Sequence, residues 1–497
     1  MAQSNERSSG GQKQAHVQAQ PQTIREIFAP LTAIIVGLFM VILDGTAMNV
    51  ALAGLMAEFD KSLSVVQWTV TGYALATAAV IPLAGWLSDR FGAKRIFLLS
   101  IGMFTVASLL CALATDVNQL IIYRIVQGLG GGMVMPIALA LTYRLSPPGK
   151  VGAVMGMMGI PILLAPALGP IVSGWLVEFA SWKWIFLINL PIGVIGILLG
   201  LRTLPSIQRQ SVAALDKPGI VLAPLAFAAL SYGVIEGGES WTSAKTLIGL
   251  SVGAVALALF IVAELRRANP LLELRVFASA DFSKGILVQW ISQIALFGTI
   301  FLVPVFLQQA KGYSPFETGL IMLPQAIAAG LTMPISGKLF DKIGVRPLVM
   351  VGMTIVMSAS FLLSRISADD GLLMVMLPLA LLGVGMGCFM MPLNTHLLQA
   401  APQNLVSRVT SLTNATQQVV SSLAVAMLTT IMASRMRGYV PPETAPTLEH
   451  YTQSFGDTFL VLVYIAIGGI VLAALLRKPK RQPDREEPTG DPGIMMH

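Results

Sequence analysis

Charged residues are scarce in this sequence. They make up 11% of its 497 residues, whereas 55% are hydrophobic. A soluble protein of ordinary composition carries about 25% charged residues, so this scarcity excludes a soluble globular chain. An apolar segment of about 20 residues crosses a bilayer as a helix. Apolar windows of this kind occur fourteen times along the chain, which predicts an all-α polytopic membrane protein with fourteen spans.

Cysteine, histidine and phosphate-binding motifs are also scarce. The two cysteines, Cys111 and Cys388, lie in predicted spans and indicate no disulfide framework. The four histidines show no metal-ligand spacing, and His396 is interpreted as a loop residue near the end of the twelfth span. The glycine-rich stretch GLGGGM (128–133) lies inside a span and lacks the following lysine of a nucleotide-binding loop. We therefore expect no enzymatic activity, no cofactor, no metal and no ATP-driven pump.

Lysine and arginine are distributed unequally between the two sides of the predicted membrane. Residues 1–26 and 477–497 read as polar, disordered tails, and an even number of spans places both tails on one side. That side carries 24 of the 32 Lys and Arg residues, and the other side carries seven. Loops rich in these residues stay in the cytoplasm. The sequence thus predicts that both termini lie in the cytoplasm and that the basic loops face anionic lipid rather than nucleic acid.

One short segment occurs twice. IPLAGWLSDRFGAKR (81–95) matches MPISGKLFDKIGVRP (333–347) at five positions, and the copies lie at the cytoplasmic ends of spans 2 and 10. Repeats of this kind build secondary transporters from two halves. Because the copies are eight spans apart rather than six, two extra helices must lie between the halves. We predict two six-helix bundles and an inserted helix pair, at 27–203, 268–476 and 204–267 respectively.

The repeated loop has the composition of a polar latch. Its carboxylates can accept hydrogen bonds from backbone N–H groups at the start of the next helix. Its cations can pair with carboxylates or lipid phosphates, and its glycine permits a tight turn. A gating latch and a folding staple would use the same residues, so both interpretations stay open for Gly85, Asp89, Arg90, Gly92, Lys94, Arg95 and Asp341.

Two ionisable residues interrupt apolar spans. Asp44 lies in the first span, where a carboxylate costs about 2.5–3.5 kcal/mol and therefore faces a cavity or a partner. It could carry a coupling proton, or it could be a structural carboxylate satisfied by Thr46, Asn49 or a helix dipole. Arg124 lies in the fourth span and keeps its charge. It could hold a polar network that differs between conformations, or its long stem could reach the membrane interface.

Five stretches resemble the signatures of one transporter family: LDGTAMNVAL (43–52), GWLSDRFGAKR (85–95), YRIVQGLGGG (123–132), APALGPIVSGW (165–175) and WKWIFLINLPIG (182–193). They are similar to the fourteen-span drug:proton antiporter family (EmrB/QacA type) of the major facilitator superfamily. The resemblance implies the major facilitator fold and a proton-coupling role for Asp44 and Arg124. It also implies that span 5 carries an antiporter signature, with Pro166, Gly169, Pro170 and Gly174.

The same resemblance predicts export of amphipathic, cationic drugs in exchange for protons by alternating access. Cavities that accept varied ligands are mostly apolar with a few polar anchors. Candidate anchors therefore come from several spans: Asp44, Asn49, Trp68, Tyr73, Gln127, Gln293, Phe297, Phe301, Asn394 and Gln417. Two alternatives stay open, namely export of a lipid or dedicated metabolite, and a non-transporting membrane sensor on the same fold. The expected partners are drugs, protons and membrane lipids, and we expect a monomer.

Overall fold

The computed structural model describes residues 23–205, 217–238, 240–267, 270–367, 370–402, 405–440 and 447–476. Most of the two predicted tails lies outside these ranges. The first helix begins at Ile24, inside the segment predicted to be a tail, because the apolar pattern already starts there. Within the described ranges, fourteen helices are long and apolar enough to cross a membrane, in agreement with the fourteen predicted spans.

We number these helices α1 to α14, so that each number is also that of its span. In the first half they are α1 (Ile24–Phe59), α2 (Trp68–Phe91), α3 (Ala93–Ala112), α4 (Val117–Leu145), α5 (Val151–Phe179) and α6 (Lys183–Thr203). The inserted pair is α7 (Lys217–Gly237) and α8 (Ala244–Leu265). The second half contains α9 (Ala280–Val305), α10 (Pro315–Ile343), α11 (Val345–Ser364), α12 (Leu372–Gln399), α13 (Val406–Tyr439) and α14 (Leu448–Ala473).

Local sequence signals explain several helix ends. Ser314 and Glu317 form a reciprocal capping box at the start of α10, in which each side chain accepts a hydrogen bond from the other residue's backbone N–H. Gly92 ends α2 with φ 95° and Gly344 ends α10 with φ 82°. These φ values favour glycine over residues with a β-carbon. Both turns belong to the repeated loop, and the tight turn predicted there is confirmed.

Two helix pairs join the halves. In the first half, α1 packs against α5 and α6, while α4 packs against α2 and α3. In the second half, α12 packs against α10 and α11, while α9 packs against α13 and α14. The contacts between halves are made chiefly by α5 with α10 and by α2 with α13. Since α2 and α10 carry the two copies of the repeat, the two junctions are related by that repeat.

Small residues let α5 and α10 approach closely. A β-carbon on Gly156 of α5 would lie 2.6 Å from the carbonyl oxygen of Met333 on α10. Near the other end of the pair, a β-carbon on Gly174 would lie 3.5 Å from the β-carbon of Phe316. The two helices are therefore in contact near both of their ends.

The inserted helices pack against the outside of the α2–α13 junction. α7 contacts α2, α13 and its partner α8. The Trp68 ring of α2 stacks on the Tyr232 ring of α7, with 6.3 Å between centroids. The indole N–H of Trp241, in the loop after α7, donates to the hydroxyl of Thr430 on α13 at 2.8 Å. The inserted pair thus contacts both halves at one of their two junctions.

Candidate functional site

Asp44 lies in a buried polar network between the helices of the first half. Its side chain is fully buried, and its Oδ2 accepts a hydrogen bond from the Arg124 guanidinium at 2.6 Å. Its Oδ1 accepts hydrogen bonds from the amides of Gln127 at 3.2 Å and Asn189 at 2.8 Å. The Thr46 hydroxyl instead donates to the Leu43 carbonyl, so the suggestion that Thr46 satisfies Asp44 is wrong.

Arg124 is the cation of this network and does not reach the membrane interface. It is 1% exposed, which rules out the alternative of a stem extended towards an interface. Its Nε donates to the Thr69 carbonyl at 3.2 Å, and its Nη1 also donates to the Gln127 amide oxygen at 2.7 Å. Its guanidinium lies 4.2 Å from the centre of the Tyr73 ring. Because a buried charge requires a partner, Asp44 and Arg124 stabilise each other.

Two members of the network, Asn189 and Ser108, were missed by sequence reasoning. The Ser108 hydroxyl accepts hydrogen bonds from Gln127 at 3.1 Å and from Asn189 at 3.0 Å. It donates to the Phe186 carbonyl at 3.0 Å. Asn189 lies in a window without charges and is fully buried. A carboxamide inside such a window was the available signal, since a buried amide needs hydrogen-bond partners.

A central cavity of about 280 Å³ lies between the halves, next to this network. Four predicted substrate residues line it, namely Tyr73, Gln293, Asn394 and Gln417. Its wall is mostly apolar, and among the described residues no charged side chain lines it. Sequence reasoning missed several polar side chains of the wall: Thr46, Thr77, Asn414, Gln418 and Ser421.

Tyr73 links the cavity to the ion pair. One part of the tyrosine contacts the Arg124 guanidinium, and the residue also lines the cavity. Asp44 and Gln127 are buried and do not line the cavity themselves. In this conformation neither side chain reaches the cavity, and their role as substrate contacts stays a prediction.

Other predicted substrate residues lie elsewhere. Trp68 is 42% exposed and packs on Tyr232 of the inserted pair, away from the cavity. Phe301 packs against the apolar core and does not line the cavity. Helical spacing placed these residues on plausible faces but could not show which neighbour covers each face. The side chains of Asn49 and Phe297 lie outside the described part of the structure.

The first copy of the repeated loop holds an ion cluster between the halves. Asp89 is buried, with its Oδ1 3.3 Å from Nη2 of Arg144 and its Oδ2 3.6 Å from Nε of Arg408 on α13. Arg144 also donates to the Ser407 hydroxyl at 2.8 Å. The expected partners of Asp89 were backbone N–H groups of the next helix. That expectation is wrong because two arginines approach the carboxylate.

The second copy makes the contact expected of the first, but across the junction. The two Asp341 carboxylate oxygens accept hydrogen bonds from the backbone N–H groups of Gly152 and Ala153, at 2.9 and 3.1 Å. These donors belong to the first turn of α5, where the helix dipole favours an anion. Both copies therefore join the halves at the same end of the molecule.

The basic residues of the first loop contribute differently from the prediction. Lys94 donates to the backbone carbonyls of Leu201 and Leu204, at 2.9 and 2.5 Å, and so caps α6. Arg90 lies over the rings of Trp86 and Phe91 on its own helix. Arg95 is exposed. The carboxylate pairing expected of these side chains is made by Arg144 and Arg408 instead.

Gly85, in the same loop copy, faces the backbone of α13. A β-carbon at this position would lie 2.5 Å from the Ser407 carbonyl oxygen.

The signature residues of α5 face three different neighbours. Pro166 lines the central cavity, and Gly169 leaves room for Thr46 of α1. Gly174 faces Phe316 of α10, and Pro170 lies within the same helix. Their helix therefore contacts the first half, the cavity and the junction with the second half.

Among the described residues, no group of three or more His, Cys, Asp or Glu side chains could hold a metal ion.

Comparisons with known proteins agree on one family. A family model described as Major Facilitator Superfamily matches residues 34–425. The chain is 36% identical over 394 residues to the Multidrug resistance protein B homolog of Mycobacterium tuberculosis, covering 78% of this chain and 73% of that protein. It is 32% identical over 457 residues to the Lincomycin resistance protein LmrB of Listeria monocytogenes, covering 90% and 96%.

Solved structures show the same fold at low identity. The human organic anion transporter MFSD10 superposes with a TM-score of 0.64 at 14% identity, covering 89% of this chain and 99% of that one. The proton:xylose symporter XylE superposes with a TM-score of 0.61 at 15% identity, covering 91% and 99%. The fold that the sequence predicts is therefore confirmed.

Proposed function

The chain belongs to the major facilitator superfamily, and from this membership we propose that it is an antiporter that exports amphipathic, cationic drugs in exchange for protons. Its relatives in this family are transporters rather than enzymes. Relatives named for multidrug resistance, multidrug export and lincomycin resistance support drug export. The protein would act as a monomer in a bacterial cytoplasmic membrane. Both of its termini would lie in the cytoplasm, on the side richer in Lys and Arg.

The observation that carries the proposal is the buried Asp44–Arg124 pair beside the cavity. A proton on Asp44 removes its charge, whereas Arg124 keeps its own charge. The cation then loses its counter-ion and must redistribute its hydrogen bonds within the network. Since Tyr73 contacts Arg124 and also lines the cavity, this change in hydrogen bonding alters the wall of the cavity where the drug would bind. Proton loading and drug release are coupled in this way.

The cavity wall suits amphipathic compounds. Its apolar majority buries a hydrophobic body, and amides such as those of Gln293, Asn394 and Gln417 offer hydrogen bonds. The preference for cations would come from Asp44, whose charge lies just behind Tyr73 and acts strongly in a medium of low dielectric. Drug and proton then compete for one carboxylate, and this competition gives exchange rather than leak.

The two loop contacts would act as the cytoplasmic latch. The Asp89 cluster and the Asp341 helix cap both tie the halves together at the end predicted to face the cytoplasm. Opening towards the cytoplasm requires both contacts to break. Protons moving inward supply the free energy for the cycle, about 2.3 kcal/mol per charge for each 100 mV of membrane potential.

The test is transport by Asp44→Asn in proteoliposomes with an imposed proton gradient. The amide keeps the size of the side chain but cannot carry the proton. We expect drug-induced proton movement to be lost, while binding of a neutral drug, measured in detergent, reports whether the variant is folded, because the charge of Asp44 is proposed to favour cations only. Glu58→Gln is the matched control, because Glu58 is an exposed acid on the same helix. Proton-coupled efflux by Asp44→Asn at the rate of the control would overturn the proposal.

A panel of one cationic drug, one neutral drug and one lipid probe separates the substrate alternatives. Cation efflux that depends on Asp44 supports the proposal. Efflux of the lipid alone would favour a lipid exporter that uses the same coupling residue. No efflux of any compound in a pump-deficient host would favour a membrane sensor.

A further inference from the structure

His396 is a buried titratable residue that the proposed mechanism does not use. It lies in the last turns of α12 and is 1% exposed, so its interpretation as a loop residue is wrong. Neither of its ring nitrogens makes a hydrogen bond of good geometry with a described residue, although the backbone of Asp281 lies within reach of the ring. The ring packs against Gly285 of α9, where a β-carbon would lie 3.2 Å from the His396 Cδ2 atom. Glycine at this position therefore leaves space for the imidazole.

His396 belongs to a row of polar residues along the α9–α12 contact. On α9, residues Asp281, Gly285, Gln289 and Gln293 follow one another at intervals of four, so that they drift slowly around the helix and form one stripe. The row extends about 18 Å, at 1.5 Å per residue. It begins at the half-buried Asp281, at the end predicted to be cytoplasmic, and reaches the central cavity at Gln293.

The inner end of the row is joined to the cavity by a hydrogen bond. The Gln289 amide donates to the Asn394 amide oxygen at 2.9 Å, and Asn394 lines the cavity. The Gln289 amide oxygen itself has no partner among the described residues. The charge that acts on His396 from the outer end is that of Asp281, in the first turn of α9. Buried polar atoms of this kind bind ordered water when protein partners are lacking.

We propose that this row is a proton route through the second half, from the central cavity to the cytoplasmic end, with His396 as its relay residue. The route rests on the proposed proton coupling, in which protons must leave on the cytoplasmic side. The amides of Gln289 and Asn394 do not ionise and hold bridging water. The imidazole accepts a proton at one ring nitrogen and releases one from the other. Asp281 stabilises the transient imidazolium and receives the proton at the outer end.

The route complements the Asp44 network, which lies in the first half on the other side of the cavity. While the Asp89 and Asp341 contacts hold the cytoplasmic end closed, drug cannot pass between the halves. A proton released from Asp44 into the cavity would still have a path to the cytoplasm, along a chain of single water molecules and the His396 ring. The transporter could therefore discharge its proton before the latch opens.

Water access along the row can be measured without transport. The variants His396→Cys and Gln289→Cys are made in a background with Cys111→Ser and Cys388→Ser, then treated in inside-out vesicles with methyl methanethiosulfonate, a small neutral reagent that needs no wide opening. Leu393→Cys is the matched control, since Leu393 is equally buried on the same helix but lies in the apolar core. We expect both test thiols to react about tenfold faster than the control, because the reactive thiolate requires water. Reaction of His396→Cys no faster than the control would overturn the proposal.

Chemical rescue tests the relay itself. In proteoliposomes, His396→Ala should slow drug-induced proton movement by about 100-fold, the usual contribution of a positioned proton-transfer group. Drug binding should be retained, and added imidazole should restore proton movement in proportion to its concentration. Unchanged proton movement, or a loss that imidazole does not restore while binding is intact, would contradict the relay. A failure of the proposed coupling would appear with Asp44→Asn and would leave the thiol labelling unchanged.

Discussion

At the scale of single residues, Asn189 determines how the Asp44 charge is held. Its amide donates to Asp44 at 2.8 Å and to Ser108 at 3.0 Å, so it fixes the carboxylate relative to α3. A hydrogen bond to a charged group contributes about 1.5–3 kcal/mol, which corresponds to about 10-fold to 100-fold in an equilibrium. Asn189 therefore belongs to the Asp44 network as much as Gln127 does.

We predict that Asn189→Ala lowers the rate of drug-induced proton movement by at least about tenfold, because the charged form of Asp44 loses one of its three donors. The measurement is the same proteoliposome assay used for Asp44→Asn. Asn118→Ala is the control, since Asn118 is exposed at the start of α4. Equal rates for the two variants would mean that Asn189 only fills space.

The sequence identified Asp44 and Arg124 separately, and physical reasoning explains why it could not pair them. Each was visible because a charge in an apolar span is costly. Their contact joins α1 to α4 across 80 positions of sequence, and it depends on how those helices pack. Helical periodicity fixes the face of one helix but not the neighbour that covers it. For the same reason Trp68 was assigned to the cavity although it faces the inserted pair.

At the scale of helices, the junction between α2 and α13 depends on the absence of a side chain at Gly85. A β-carbon there would lie 2.5 Å from the Ser407 carbonyl oxygen and 2.8 Å from the Ser411 hydroxyl oxygen. The backbone oxygen cannot rotate away, so the helices would have to separate. The neighbouring Asp89 cluster would then lengthen its contact to Arg408.

We predict that Gly85→Ala weakens closure of the end predicted to face the cytoplasm. Overpacking of this kind costs about 1–3 kcal/mol, so the open population should rise by about fivefold to 150-fold. A Gln293→Cys reporter in the cavity should then react correspondingly faster with an impermeant thiol reagent in inside-out vesicles. Gly102→Ala is the control, because the nearest atom to its β-carbon would be 3.9 Å away. An unchanged labelling rate in Gly85→Ala would show that this crossing does not limit opening.

At the scale of the whole molecule, the repeat predicted two halves but not how they touch. The match between the two loop copies indicated equivalent positions, and α2 and α10 indeed occupy equivalent junctions. Yet Asp89 binds two arginines and Asp341 binds two backbone N–H groups. The difference arises because Arg408 follows Ser407 on α13, whereas the corresponding first turn of α5 has Gly152 and Ala153. An approximate repeat therefore fixes topology, while the local side chains decide the chemistry of each latch.

Alternating access requires the two halves to separate at each end in turn, and in this conformation α5 and α10 are in contact near both ends. A disulfide needs β-carbons about 3.5–4.5 Å apart. A β-carbon on Gly174 would lie 3.5 Å from that of Phe316, at the end opposite the latches. The double variant Gly174→Cys and Phe316→Cys, in the background without native thiols, should therefore cross-link the halves at that end.

We predict that oxidation of this double variant abolishes drug efflux and that a reducing agent restores it, because the cross-linked outer end cannot open to release drug. Each single variant, oxidised in the same way, is the control for thiol chemistry that does not join the halves. When the Gln293→Cys reporter is added to the double variant, its labelling from the side predicted to be cytoplasmic should continue after cross-linking, since the latch end stays free to open. Full efflux by the cross-linked protein would mean that the route outward does not pass between α5 and α10, and transport would then have to open at the α2–α13 junction, where the inserted helices pack.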